Sequence, residues 1–399
     1  MLASETRYPV SEIDPFSDEF LNDPYPFHHE LREAGPVVRL ERYRVWTMAR
    51  HDQVSSALAD WQTFSSGAGV GIDDFRKGRP WRPKSLLLEV DPPLHTRTRT
   101  VMNRVLAAPA LRGLRETFGA EAAKLADRLV AKRRFDAIAD LAEAYPVQVF
   151  PDAVGLRPDG RENLLPYGNM LFNSFGPRNA LFRESEAACK PALEWIFESC
   201  ARERLAPQGF GAAIWAAYDR GEIEEPEAHI LVRALLTAGL DTTVNGLGSA
   251  ILAFATHPDQ WRILLDDKSL SKVAFDEVLR WESPVQTFFR TTTRPVDIEG
   301  IEIPQDEKVL LFLSSANRDP RRWEEPEKFD VRRRPTGHVA LGNGIHVCVG
   351  QMVARLEAEM MLGALAERVK RIEIVGEPKR KLNNTLRSLA TLPVELTPL

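Results

Sequence analysis

One short stretch constrains this chain more than any other. It reads Gly342-Asn343-Gly344-Ile345-His346-Val347-Cys348-Val349-Gly350, three glycines around a single cysteine. Glycines permit tight turns and close approach of backbone to a bound group. A helical pattern follows from Gln351 to Lys370, apolar at Met352, Val353, Leu356 and Met360. A cysteine at a helix N-terminus has its thiolate favoured by the dipole. Cys348 therefore reads as an iron ligand, as a nucleophile, or as a structural cysteine in a glycine turn. The loop alone leaves all three open.

The rest of the chain is read around that loop. Its 399 residues are 44% apolar and 27% charged, enough to bury a large core. A net charge of −5 argues against a nucleic-acid partner. Cys189, Cys200 and Cys348 form no CxxC pair and are too few for a disulfide framework, so neither zinc nor an oxidising compartment is expected. The expected location is the cytoplasm. Met1 to Asp18 is charged and lacks the apolar core of a signal peptide or anchor. The apolar stretch from Ile230 to Thr256 contains Arg233, Asp241 and Asn245, which reads as a buried helix and not a membrane span.

Helical patterns dominate, at 113–132, 161–172, 184–203, 226–256, 259–266, 270–281 and 350–369. Short β-like runs are Val37–Leu40, Val45–Ala49, Val285–Thr293, Val296–Ile298, Lys308–Leu313 and Arg371–Ile374. Residues 61–93 and 318–347 read as long loops, which in compact chains are usually functional. No repeat or linker divides the chain, so a single mainly α domain with a small β region is expected over 1–399.

Three further segments matter. Glu277 and Arg280 share a helix face, an arrangement that is usually a solvated ion pair. Pro326-Glu327-Lys328-Phe329 and Arg332 to Arg334 offer that pair further partners, after a turn at Asn317-Arg318-Asp319-Pro320. In the helix expected over 226–256, Ala238-Gly239-Leu240-Asp241-Thr242-Thr243 is a local weakness. An interior glycine costs ~1 kcal/mol against alanine. The plain reading is close packing at Gly239 with each threonine tied to a backbone carbonyl.

In order and spacing these segments resemble the cytochrome P-450 superfamily, from about Pro26 to the C-terminus. That resemblance implies a triangular helical prism with haem b between the long central helix and the helix after the cysteine loop (341–350). It makes Cys348 the axial iron ligand, with Gly342 and Gly350 shaping the loop and Ala238 leaving room over the iron. Thr242 and Asp241 become the hydrogen-bonding and proton-relaying pair of oxygen activation. His95, Arg99, Arg290 and His346 match the usual partners of the haem propionates, and Glu277 and Arg280 become structural. One departure is Leu341, where relatives carry Phe packed by the thiolate. It implies a shifted redox potential and altered haem retention.

The sequence further resembles the bacterial branch that oxidises para-substituted benzoic acids. The runs Asn163 to Tyr167, Ser283 to Arg290 and Leu382 to Arg387 carry the likeness. That implies Arg82, Ser85 and Arg233 at a carboxylate, and Leu88, Phe172, Phe175, Val285 and Phe288 with Ala238 around the ring. Lys84 is a further candidate for an anion, in a loop spanning 79–90. Arg233 lies nine residues before Thr242, ~13 Å along a helix. Ala234 is a second departure, since relatives tend to carry Ser. The implied reaction is O-demethylation or hydroxylation at the para position with O2.

No flavin or iron–sulfur motif is fused to the chain, so electrons are expected from a [2Fe-2S] ferredoxin and its flavin-dependent reductase. Arg332, Arg333, Arg334 and Arg355 are candidates for that contact, and a monomer is expected. The rivals are a P-450 of another small apolar substrate, a non-catalytic haem sensor or carrier, and a haem-free cysteine hydrolase using Cys348 with His346 or His95.

Overall fold

A computed structural model describes residues 8–78 and 80–399, most of them helical. The helices that build the site are α1 (Leu94–Val105), α2 (Ala108–Lys132), α3 (Leu164–Asn173), α4 (Glu225–Ala238), α5 (Asp241–Thr256), α6 (Ser271–Glu282) and α7 (Gln351–Ala366). Helix α2 starts five residues before the periodic pattern suggests, because Pro109 suits a first turn. Helix α7, which follows the cysteine loop, packs on α2, α5 and α6. Apolar residues on every side of α5, from Val244 to Phe254, are buried, as a central helix requires.

The expected helix over 226–256 is two helices. Leu240 (φ −105°, ψ −65°) separates α4 from α5. Gly239 lies against the Phe150 ring, and a Cβ there would come within 2.4 Å of it. The carbonyls at the break, of Ala238 and Gly239, accept the hydroxyls of Thr242 (2.7 Å) and Thr243 (3.3 Å). The run 184–203 is likewise divided. Helix Ala180–Cys189 ends before Pro191, and Leu193–Glu198 resumes beyond it. The segment over 161–172 opens as a single tight turn before α3.

The main sheet has six strands: β1 (Val10–Ser11), β2 (Val38–Leu40), β3 (Val45–Met48), β4 (Phe64–Ser65), β5 (Thr287–Thr292) and β6 (Lys308–Phe312), in the order β1-β2-β3-β6-β5-β4. β5 and β6 run antiparallel, with Phe288 opposite Leu311 and Arg290 opposite Val309. Side chains alternate along a strand. Phe288 and Arg290 accordingly face the central cavity, while Phe289 enters the core with Phe16, Leu31 and Phe312. Val285 lies outside β5, in an isolated bridge to Leu386. Residues 318–347 carry almost no regular structure, as expected.

That long loop is held from within. Glu277 and Arg280 are fully buried and joined by two hydrogen bonds of 2.8 Å. Arg280 also donates to the carbonyls of Asn317, Pro326 and Lys328. Arg333 donates to Glu277 at 3.2 Å, which removes it from the surface set proposed for ferredoxin. A buried ion pair needs its remaining donors satisfied, and here loop carbonyls do so. Asn317 then bridges Ser283 (2.9 Å) to the amide of Val339 (2.8 Å), where the cysteine loop begins.

Candidate functional site

A cavity of about 240 Å³ lies between the α4–α5 break and the cysteine loop. Cys348, Gly342 and Gly350 line one side, and Ala238, Gly239 and Thr242 line it as well. The loop is braced by hydrogen bonds from the Gly342 amide to Val339 O (2.9 Å) and from the Cys348 amide to Leu341 O (2.8 Å). Gly342 (φ 76°) and Gly344 (φ 69°) take the left-handed conformation that this turn demands. Burial pushes the Cys348 thiol up, against the amides of Gly350 and Gln351 and the charges of Arg99 and Arg355. Those same groups would steady a thiolate bound to a metal. Leu341 also lines the cavity.

Beside the cysteine lies a cluster of cations and imidazoles. Arg99 donates to Val347 O at 2.6 Å, and the buried Arg290 to Phe289 O at 2.8 Å. The His95 and His346 rings are 4.5 Å apart, and the buried Nε2 of each lacks a hydrogen-bond partner. Burial, then the charges of His346 and Arg99, pull His95 down to about 4. Burial lowers Arg290 to about 10. The one carboxylate nearby, Asp91, stands 3.8 Å from His346. Buried polar nitrogens without partners are costly. This cluster fits two anionic groups, as the propionates of the haem implied by the sequence would provide.

The eight candidates for substrate all line the same cavity. Phe172, Phe175 and Phe288 form a slot of edge-on rings with centroids 5.8 Å apart, closed by Leu88 and Val285. At the other end sit Arg82, Ser85 and Arg233. Arg82 is less free than its type suggests. Its guanidinium holds Glu89 by two bonds of 2.9 and 3.0 Å, and Glu89 is fully buried. Lys84 is spent on Gly67 O at 2.8 Å, so it is not a substrate contact. Arg79, the first residue of that loop, lies outside the described residues. Arg233 donates through one nitrogen to Pro83 O (2.8 Å), and burial lowers its pKa. Two arginines against one glutamate leave this end with one positive charge in excess. Ala234 presents a methyl group to the cavity, and the nearby Thr237 hydroxyl is tied to its own helix.

Asp241 does not face the cavity. Its carboxylate lies against Gly168 of α3, where a Cβ would come within 1.5 Å of Oδ2. That oxygen has no partner, and burial raises the group to about 8. Thr242 does face the cavity, its hydroxyl resting on Ala238 O. The pair thus straddles the helix break.

Sequence reasoning missed Glu89, whose carboxylate decides what Arg82 can do. It also missed Glu357, a fully buried cavity residue whose two carboxylate oxygens lack partners. A Glu seven residues after Arg82 gave no periodic signal, because the link is a loop folded on itself. Glu357 sits on the buried stripe of α7, where a charge is unexpected, and that was its available signal. Among the described residues no group of three His, Cys, Asp or Glu could hold a bare metal ion. None of their helices is long and apolar enough to cross a membrane.

The family model for cytochrome P450 matches residues 269–397. The chain is 54% identical over 387 residues to cytochrome P450 CYP199A2 of Rhodopseudomonas palustris, covering 97% of this chain and 94% of that protein. It is 33% identical over 403 residues to cytochrome P450 107B1 of Saccharopolyspora erythraea, covering 96% and 98%. Among solved structures, CYP109Q5 from Chondromyces apiculatus superposes with a TM-score of 0.81 at 30% identity, covering 97% and 98%. Cytochrome P450 CREJ in complex with (4-ethylphenyl) dihydrogen phosphate superposes at 0.85 with 25% identity, covering 96% and 99%.

Proposed function

Because this chain belongs to the cytochrome P450 family, and is therefore a monooxygenase with haem b as cofactor, we propose that it oxidises the para substituent of small aromatic acids such as 4-methoxybenzoate. The observation that carries this reading is the polarity of the cavity. An aromatic slot is lined by Ala238, Thr242 and Cys348 on one side and by Arg82 and Arg233, a buried excess positive charge, on another. A carboxylate would cancel that charge and accept hydrogen bonds from Arg233 and from Ser85, whose oxygen already receives the Leu88 amide at 3.2 Å. The ring would then lie between phenylalanines with its para group toward Ala238 and Thr242. The neighbour CREJ holds a para-alkyl aromatic with an anionic end, the same layout of ligand.

When bound, haem supplies the reduction of O2 and the transfer of one oxygen atom to a C–H bond. Cys348 would ligate its iron through sulfur, and His95, Arg99, Arg290 and His346 would take its propionates. For a methoxy substrate the new hydroxymethyl ether splits into a phenol and formaldehyde. The second oxygen atom leaves as water, using two electrons and two protons. The protein's part is to deliver those protons. Asp241, neutral behind the break, is the store, and Thr242 is the donor inside the cavity. O2 and a redox partner are required. The partner is a [2Fe-2S] ferredoxin with its flavin-dependent reductase, meeting the exposed Arg332 and Arg334. Arg355 is paired with Asp276 at 2.9 Å and contributes less.

The sensor and hydrolase readings fall with the family assignment. A different small apolar substrate keeps two observations in its favour, the methyl of Ala234 and the Glu89 already held by Arg82. The test is turnover with 4-methoxybenzoate, a ferredoxin, its reductase and NADH. Equal amounts of 4-hydroxybenzoate and formaldehyde support the acid reading. Consumption of NADH without either product rejects it.

A further inference from the structure

We propose that Lys308 is a positioning residue for the substrate slot, holding the glycine loop 67–71 against its aromatic wall. This deepens the aromatic-acid reading and rests on it for the substrate named. The Lys308 ammonium points at three backbone carbonyls, Ala68 O (3.3 Å), Gly69 O (2.9 Å) and Gly71 O (2.9 Å). An ammonium has three donors, and here each has an acceptor. Lys84 takes the next carbonyl of the same turn, Gly67 O. Backbone carbonyls converging on one point repel each other unless a cation stands between them. The conformation of this loop therefore depends on Lys308.

The loop is not remote from the slot. Val70, fully buried between those carbonyls, belongs to the cluster of Leu171, Phe172, Phe175 and Leu386. The Val70 carbonyl receives the amide of Phe289 (2.9 Å), next to the slot residue Phe288. The Ile72 amide donates to Phe175 O at 2.8 Å. Gly71 lies so close to Phe175 that a Cβ would meet its Cα at 2.8 Å. Lys308 is also paired in register with Thr291 of β5, two residues from Phe289 and one from Arg290. One side chain thus fixes the loop, the strand and the Phe175 turn relative to one another.

Burial brings this lysine down to about 8, offset by Asp74, Asp73 and Glu89 and reinforced by Arg76. Of these, Arg76 is paired with Asp74 and Asp306, and Asp73 with Arg178. Loss of the proton removes the charge and one of the three donors. The grip on the loop is present below about pH 8 and is lost as pH rises through it.

The test is a Soret titration of the ferric holoenzyme at pH 7 and pH 9, in wild type and Lys308→Met. Two probes are used, 4-methoxybenzoate and the neutral iron ligand 4-phenylimidazole. Expected are normal haem content in the variant and ~10-fold weaker binding of both probes at pH 7. Wild-type affinity should fall toward the variant's by pH 9, while the variant's stays level. Variant affinities equal to wild type, or the same pH dependence in both proteins, overturn the proposal. If wild type ignores the benzoate but the variant still binds 4-phenylimidazole more weakly, the acid reading fails and the role of Lys308 stands. Lys308→Gln, which keeps two N–H donors, replaces the Met variant if that protein does not accumulate.

Discussion

Glu277 shows how much one buried charge can organise. It balances Arg280 in a fully buried setting and also receives the Asp330 amide and Arg333. Glu277→Gln leaves Arg280 uncompensated in the core, a loss of about 3–5 kcal/mol. The protein is expected to accumulate poorly and to retain little haem, read from the Soret absorbance per chain. A variant with wild-type Tm and haem content would contradict this. At the acid end two arginines behave differently. Arg233→Leu removes a cavity-facing cation and should weaken 4-methoxybenzoate binding by about 1.5–3 kcal/mol, roughly 10- to 150-fold, with folding kept. Arg82→Leu leaves the buried Glu89 carboxylate with the Ser85 amide (2.8 Å) but no compensating cation, and should cost stability. The double change Arg82→Leu with Glu89→Gln should restore it. Equal Tm values for the single and double variants would sink this account of Arg82. That Arg82, Ser85 and Arg233 line the cavity follows the sequence reading, in which the 79–90 loop offered Arg82 and Ser85 and the family resemblance added Arg233. The bond from Arg82 to Glu89 was not, since it depends on a loop path with no period.

The α4–α5 break is the element on which the proposed chemistry depends. Its two threonine hydroxyls rest on carbonyls, as the plain sequence reading held, and the cavity reaches Thr242 as the family reading held. The two placements coexist, because a helix opened at Gly239 has carbonyls for hydroxyls to cap and space beside them. The break itself went unread, since apolar periodicity continues straight through it. Thr242→Ala should leave substrate affinity unchanged and divert electrons into hydrogen peroxide. Unchanged coupling of NADH to product would refute the role of Thr242. Asp241 ionises near pH 8 in the fold, well above its ordinary value near 3.8. Ionisation therefore opposes folding, and the cost grows as pH rises from about 4 to about 8. Asp241→Asn should raise Tm at pH 7 while lowering kcat. Wild-type kcat should fall as pH passes about 8, an arm that the variant lacks. A variant that loses both Tm and kcat would mean that Asp241 is structural.

Across the whole molecule, two lobes meet at one cavity. Helices α4 to α7 supply much of its lining, and the β5–β6 side supplies Arg290 and, with Phe288, one wall of the slot. The helical lobe was visible in periodicity, because its helices are long and one-sided or wholly apolar. The β lobe was visible as runs, but its pairing was not. β3 lies parallel to β6 across more than 250 residues, which no local pattern encodes. Lys308 was hidden for that reason: it reads as the polar start of a strand, and the loop that brings carbonyls to it lies far back in the chain. The charge layout also has a global consequence. On the proposed reading, a buried positive end beyond the aromatic slot selects for an acid over its neutral isostere, because only the acid offsets the cost of the excess charge.

That selection is measured by titrating the ferric protein with 4-methoxybenzoate and, separately, with its methyl ester, following the Soret band. The ester keeps the ring and the para group and loses the charge. The geometry predicts a saturable blue shift with the acid and binding of the ester at least ~10-fold weaker. Equal affinities, or tighter binding of the ester, would contradict it.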